Sequence, residues 1–143
     1  MSDCLDSWAV LAFLDGEDPA AEVVQQALDR GRPAMSWINL LEVEYRVRRQ
    51  HGAAEADTTI SRLRKLVAEE LPGVSRMRAV AALKAAHPIA LADCFAIATA
   101  AAHSATLITG DPEIIDRAEQ LPCAIADARL GPDRQEAPAP EDA

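Results

Sequence analysis

The sequence predicts an α/β layered fold built on a mainly parallel sheet. Short runs suited to strands alternate with longer stretches of helical composition. Half of the 143 residues are hydrophobic while only 3% are aromatic, so alanine, leucine, isoleucine and valine must form the core. That length suits one domain with a substantial interior.

Met1 to Leu5 is short and partly apolar and reads as a first strand. Asp6 stands before SWAVLAFL, where Asp is a favoured helix N-cap. DGEDPAAE is a turn that opens a new helix, with Pro19 near its first position and Glu22 in its first turn. Gly31 stops that helix after about Arg30. Pro33 to Ile38 reads as a second, buried strand. Asn39 and Glu42 then have capping-box spacing at the start of a helix that Gly52 ends. Ile38, Leu41 and Tyr45 share one side of it, Glu42 falls within that arc, and Glu44, Arg48 and Arg49 face solvent. AAEADTTISRLRKLVAEE is an amphipathic helix with Ile60, Leu63 and Val67 on one face.

Leu71 to Ser75 is expected as a short strand, and Arg76 to Ala86 as a helix closed by His87-Pro88. Leu91 to His103 is an almost wholly apolar helix with one carboxylate, Asp93, in its first turn. The strand at Thr106 to Ile108 leads to Gly110-Asp111-Pro112-Glu113, a helix start whose helix is expected to end near Leu121. Cys123 to Ala126 is a weak last strand. The domain is expected to span 1–130, with 131–143 a disordered tail rich in Pro, Ala and acids.

No apolar run is long enough to span a bilayer and no charged-then-apolar leader opens the chain, so a soluble cytoplasmic protein is expected. Cys4, Cys94 and Cys123 lack CxxC spacing and read as buried reduced thiols. His51, His87 and His103 are scattered and read as helix-end or surface residues. The net charge of −9 disfavours a polyanion as partner, but it is unevenly spread. The stretch from Arg46 to Lys84 is net positive. Its Arg46, Arg48, Arg49, Arg62, Arg64 and Lys65 are candidates for a phosphate-contacting surface, against the ordinary alternative of a solvated helical face.

Asp6, Glu42, Asp93 and Asp111 each have a local explanation as a cap or a first-turn acid. Taken together they say more. All four stand at helix beginnings beside apolar sequence, and Asp6 and Asp111 directly follow strands. If those strands are parallel and central, both carboxylates lie on one sheet edge, where α/β proteins bind ligands. Converging like charges raise one another's pKa, and a divalent cation removes the difficulty. An all-oxygen cluster suits Mg²⁺ or Mn²⁺.

DSWA at Asp6, SWINLLE ending on Glu42, LADCFAIATA around Asp93 and LITGD ending on Asp111 together resemble the PIN domain, and more closely the VapC-like toxins of bacterial toxin–antitoxin pairs. The resemblance covers roughly Met1 to Leu130. It implies a three-layer α/β/α sandwich and a metal-dependent ribonuclease. Asp6, Glu42, Asp93 and Asp111 match the metal-holding cluster, and Ser7, Asn39 and Thr109 match polar positions around it. Trp8 and the short start before Asp6 depart from the family pattern. The resemblance also implies an RNA substrate, a cognate antitoxin whose tail covers the site, and a homodimer. Trp8, Val10, Leu11 and Leu14 are candidates for part of the dimer surface, although core packing is the expected fate of most of them. The alternatives are a non-catalytic PIN-like RNA- or protein-binding module and a structure-specific DNA nuclease. A phosphoacceptor domain ranks low, because it needs a lysine after a late strand and Lys65 and Lys84 come too early.

Overall fold

The computed structural model describes residues 2–132, so the tail from residue 133 onward lies outside the described residues. Five strands form one sheet: β1 (Asp3–Leu5), β2 (Ala34–Ser36), β3 (Ala68–Glu70), β4 (Thr106–Thr109) and β5 (Ile125–Asp127). Their order is β3-β2-β1-β4-β5, and every neighbouring pair is parallel. The helices between them are α1 (Ser7–Leu14), α2 (Ala20–Arg30), α3 (Trp37–His51), α4 (Ala53–Leu66), α5 (Val74–Ala86), α6 (Leu91–Ala102) and the single turn α7 (Pro112–Ile115).

Successive strand residues point to opposite faces, and the two apolar clusters follow that alternation. Leu5, Met35 and Ile108 join residues of α1 to α4 on one face. Cys4 and Leu107 join residues of α5, α6 and α7 on the other. The result is the three-layer α/β/α sandwich that the resemblance implies. In α6, every residue from Asp93 to Ala100 is buried. Its alanines let the helix lie close to the sheet. The hydroxyl of buried Thr99 donates to the Phe95 carbonyl at 2.7 Å, which satisfies it within the helix.

The strand order reverses direction beside β1: β2 and β3 extend one way, β4 and β5 the other. The crevice at the carboxyl ends of β1 and β4 is therefore the topological switch point, where such folds bind ligands. Asp6 leaves β1 there, and Gly110-Asp111 leaves β4. No helix among the described residues is long and apolar enough to cross a membrane.

Several element boundaries differ from the sequence reading. β2 stops at Ser36, whose hydroxyl accepts from the Ile38 N–H at 3.2 Å and caps α3, so Trp37 and Ile38 are helical. The expected Asn39–Glu42 capping box does not form, because Asn39 lies inside the helix and is buried against α6. The buried face of α3 is Asn39, Leu40, Val43 and Val47, while Leu41 and Tyr45 are exposed and Glu44 is half-buried. Ala68 to Glu70, expected as helix, forms edge strand β3, since pairing with Ala34 to Ser36 outweighs local helix preference. Leu71 to Ser75, expected as strand, contains the turn and start of α5. The helix after Asp111 lasts one turn and continues as a 3₁₀ turn at Ala118–Gln120.

Trp8 and Gly110 meet at the switch point. A Cβ built on Gly110 would fall 2.1 Å from the Trp8 ring, a rigid neighbour that cannot yield by turning a flexible tip. Gly110→Ala is expected to destabilise the fold by about 1–3 kcal/mol through overpacking. Pairing it with Trp8→Leu should return part of that loss in a double-mutant cycle followed by thermal unfolding. Additive losses would show that the contact does not exist.

Candidate active site

The site begins with strand register. β1 and β4 pair Asp3 with Thr106, Cys4 with Leu107 and Leu5 with Ile108. One step further brings Asp6 alongside Thr109. The Thr109 hydroxyl donates to Asp6 Oδ2 and accepts from the Asp111 N–H at 3.0 Å, bridging the two strand ends. The other oxygen of Asp6, Oδ1, accepts from the Ala9 N–H at 2.9 Å and caps α1. Asp6 is wholly buried. Burial pushes its pKa up to about 7 against the lowering effect of those two hydrogen bonds, with Asp111 and Glu42 adding repulsion.

Asp93 reaches the same crevice from the first turn of α6. Burial and then Asp111, as a like charge and hydrogen-bond partner, raise its pKa to about 8, with Asp6 and Glu42 contributing further. Asp111 caps α7 by accepting from the Glu113 N–H at 3.0 Å. Glu42, half-buried on α3, accepts from the Ser7 hydroxyl. All four carboxylates are thus electrostatically coupled, and among the described residues none forms an ion pair with a Lys, Arg or His.

A cavity of about 390 Å³ opens here, and Ser7, Glu42, Asp93 and Asp111 line it. Buried Asn39 ties α3 to α6 by donating from Nδ2 to the Ala92 carbonyl at 3.1 Å, while its Oδ1 has no partner among the described residues. The sequence reading did not assign Glu113 to the site. Its carboxylate lies with those of Asp93 and Asp111 such that one oxygen of each falls within 4.8 Å of the others. Its i+2 spacing from Asp111 in the Asp-Pro-Glu helix start was the available signal, and capping chemistry hid it. This donor set fits a hard divalent cation: oxygen ligands only, repelling one another, with no ion pair to a Lys, Arg or His among the described residues.

The basic residues do not gather as one patch. Arg46 lines the acidic cavity. Arg48 pairs at 3.9 Å with Asp57, and Arg64 pairs with Glu69 at 2.7 Å while lying over the Trp37 ring. Arg49 lies one turn beyond Arg46, and Arg62 and Lys65 are exposed on α4. Of the apolar α1 residues, Val10 is buried, Trp8 and Leu11 are half-buried, and Leu14 is exposed.

The PIN domain family model matches residues 4–120, and the chain belongs to that family. The fold is similar to VapBC2 from Rickettsia felis, bound to a DNA fragment from its promoter (TM-score 0.70, 17% identity, 89% of this chain and 98% of that one). It is similar to VapBC-1 from nontypeable Haemophilus influenzae (0.68, 23%, 90% and 98%). It is also similar to a toxin–antitoxin complex from Klebsiella pneumoniae (0.62, 20%, 80% and 90%). No curated protein matches the chain.

The raised carboxylates set a stability trend. A carboxyl whose folded pKa exceeds its unfolded value binds more protons folded than unfolded. Stability is therefore fully present below the ordinary value of 3.8 and is lost as pH rises to about 8. Glu70 and Asp127, whose pKa values are lowered, lose their contribution only on the acid side, which leaves the neutral window to the cluster. Without divalent cation, the Tm is expected to be lower at about pH 8 than at about pH 5.5. Mg²⁺ or Mn²⁺ should raise it mainly at the higher pH, where the site is charged. Asp93→Asn should flatten both trends in differential scanning fluorimetry. A Tm indifferent to pH and cation would rule out the coupling.

Proposed function

We propose that the protein is a Mg²⁺- or Mn²⁺-dependent endoribonuclease, the toxin of a toxin–antitoxin pair. The observation that carries this reading is the convergence of Asp6, Glu42, Asp93 and Asp111 on the switch-point crevice, where none of them forms an ion pair among the described residues. Membership of the PIN family supports it. Asp6, Asp93 and Asp111 would hold the cation, with Glu42 and the added Glu113 ligating directly or through water. The bound cation supplies an activated water and neutralises phosphate oxygens at the scissile phosphodiester.

The chain's own groups do the positioning. Thr109 and the α1 cap fix the two Asp6 oxygens, and the Ser7 hydroxyl fixes Glu42. Asn39, held at Ala92, keeps α3 and α6 at the spacing that lets Glu42 and Asp93 face each other. Glu42 or Asp93, both in the lining of the crevice, would orient the attacking water. RNA in single strands or loops is the substrate that suits a recessed site, because a splayed backbone can enter it. The likeness to a toxin–antitoxin complex supports a cognate antitoxin as partner. A homodimer and a cytoplasmic location complete the proposal.

Asp93→Asn is expected to lower Mg²⁺-dependent RNA cleavage by more than about 100-fold while the circular dichroism spectrum is retained. Thr109→Val, which removes the group behind Asp6, should lose about 10–100-fold in activity or metal affinity. RNA cleavage by Asp93→Asn at the wild-type rate would sink the reading. A wild-type protein that binds RNA without cutting it would instead be a binding module, and one that cuts only DNA a DNA nuclease.

A further inference from the structure

α3 carries a polar stripe that begins inside the acidic crevice and runs away from it. Glu42, Tyr45, Arg46, Arg49 and Gln50 stand at i, i+3, i+4, i+7 and i+8, one face of a helix. Arg46 lines the acidic cavity and also a second depression of about 420 Å³, which Tyr45, Arg49 and Gln50 complete. The two depressions therefore adjoin at Arg46. From Glu42 to Gln50 the stripe is about 12 Å long at the helical rise per residue.

Most of the described arginines near carboxylates are held by them, whereas Arg46 and Arg49 are not, a freedom they share with Arg62, Lys65, Arg78 and Arg117; what distinguishes this pair is its place on the rim of the crevice. Arg30, Arg48, Arg64, Arg76 and Arg129 each pair with a carboxylate. Arg46 and Arg49 form no ion pair or side-chain hydrogen bond among the described residues. Arg46 stands one turn from Glu42, the usual helical ion-pair spacing, yet Glu42 turns to the Ser7 hydroxyl instead. Tyr45 beside them is 40% exposed, an aromatic ring open to solvent. Two unpaired guanidinium groups flanking an exposed aromatic ring are the components of a single-stranded nucleic-acid track: cations for phosphates and a ring for a base.

We propose that this stripe of α3 carries the strand of RNA that leaves the acidic crevice, with Arg46 and Arg49 on successive backbone phosphates and a base on Tyr45. The proposal rests on the ribonuclease reading above and adds a direction of approach to it. It also explains how an acidic chain admits a polyanion. Arg46 stands at the rim of the carboxylate cluster, so the phosphate next to the one being cut meets a cation as it passes the acids.

The test is binding of a fluorescein-labelled single-stranded oligoribonucleotide by the full chain in the Asp93→Asn background, with Mg²⁺ present and salt varied. Arg46→Gln and Arg49→Gln should each weaken binding and lower the slope of log Kd against log salt by about 0.7. Tyr45→Ala should weaken binding with little change of slope, as loss of stacking predicts. Arg78→Gln, an exposed arginine on α5, is the charge control and should leave both quantities unchanged. In the cleaving protein, Arg49→Gln should raise KM more than it lowers kcat. A slope and Kd indifferent to Arg46 and Arg49 overturn the track while leaving the nuclease reading intact. No RNA binding by the parent protein overturns both. Loss of a dimer in Arg46→Gln/Arg49→Gln by sedimentation, with RNA affinity unchanged, gives the stripe to a second copy of the chain and overturns the track.

Discussion

The structure depends on one pairing, the parallel register of β1 with β4. That register sets Asp6 beside Thr109 and lets a single hydroxyl bridge the ends of two strands. Sliding it by one residue would reverse which side chains face which layer. With β4 fixed, a one-residue slip of β1 would put Cys4 on the face of Ile108 and Leu5 on the face of Leu107, and the Asp6 carboxylate would leave the crevice. The apolar alternation of two short strands therefore fixes the position of a polar site.

The crevice is a place where the fold gives up stability. Asp6 is wholly buried and Asp93 nearly so, and each is pushed toward its protonated form by burial and by its neighbours. A core built only for stability would place an ion pair or apolar groups here. Support comes from the surrounding helices. α6 is apolar and buried from Cys94 through Ala100, and Trp8 closes over Gly110. Stable packing around an unfavourable charge cluster is the pattern expected where function, rather than folding, selects the residues.

Much of this was legible in the sequence because it is local. The caps at Asp6 and Asp111, the bounds of α1 and the long apolar α6 follow from side-chain chemistry within a turn, and all appear as read. The misreadings share a cause in tertiary contact. β3 is helical by local preference and becomes a strand only because β2 offers it a ladder. Asn39 looked like a cap because its spacing to Glu42 is right, but the carbonyl that takes its amide belongs to Ala92, in a distant part of the chain. With Asn39 on the buried face of α3, Leu41 and Tyr45 fall on its exposed side. Glu113 is hidden for the opposite reason: an acid in the first turn of a helix is sufficiently explained by the helix field, so nothing local asks for a second role.

Capping and ligation are compatible because a carboxylate has more acceptor sites than a cap uses. Each ionised carboxylate offers about four lone-pair directions. Asp6 gives one oxygen to Ala9 and the other to Thr109, and Asp111 gives one to Glu113. Those bonds consume part of the capacity and lock the rotamers, so the remaining lone pairs are aimed without further entropic cost on binding. Asp93 differs. Sitting in the first turn of α6, whose cap residue is Ala90, it receives the helix field without a capping hydrogen bond. It is held by packing and by its hydrogen-bond contact with Asp111, and the neighbouring acids repel its charge. Its first-turn position leaves its side chain out of the caps that Asp6 and Asp111 form.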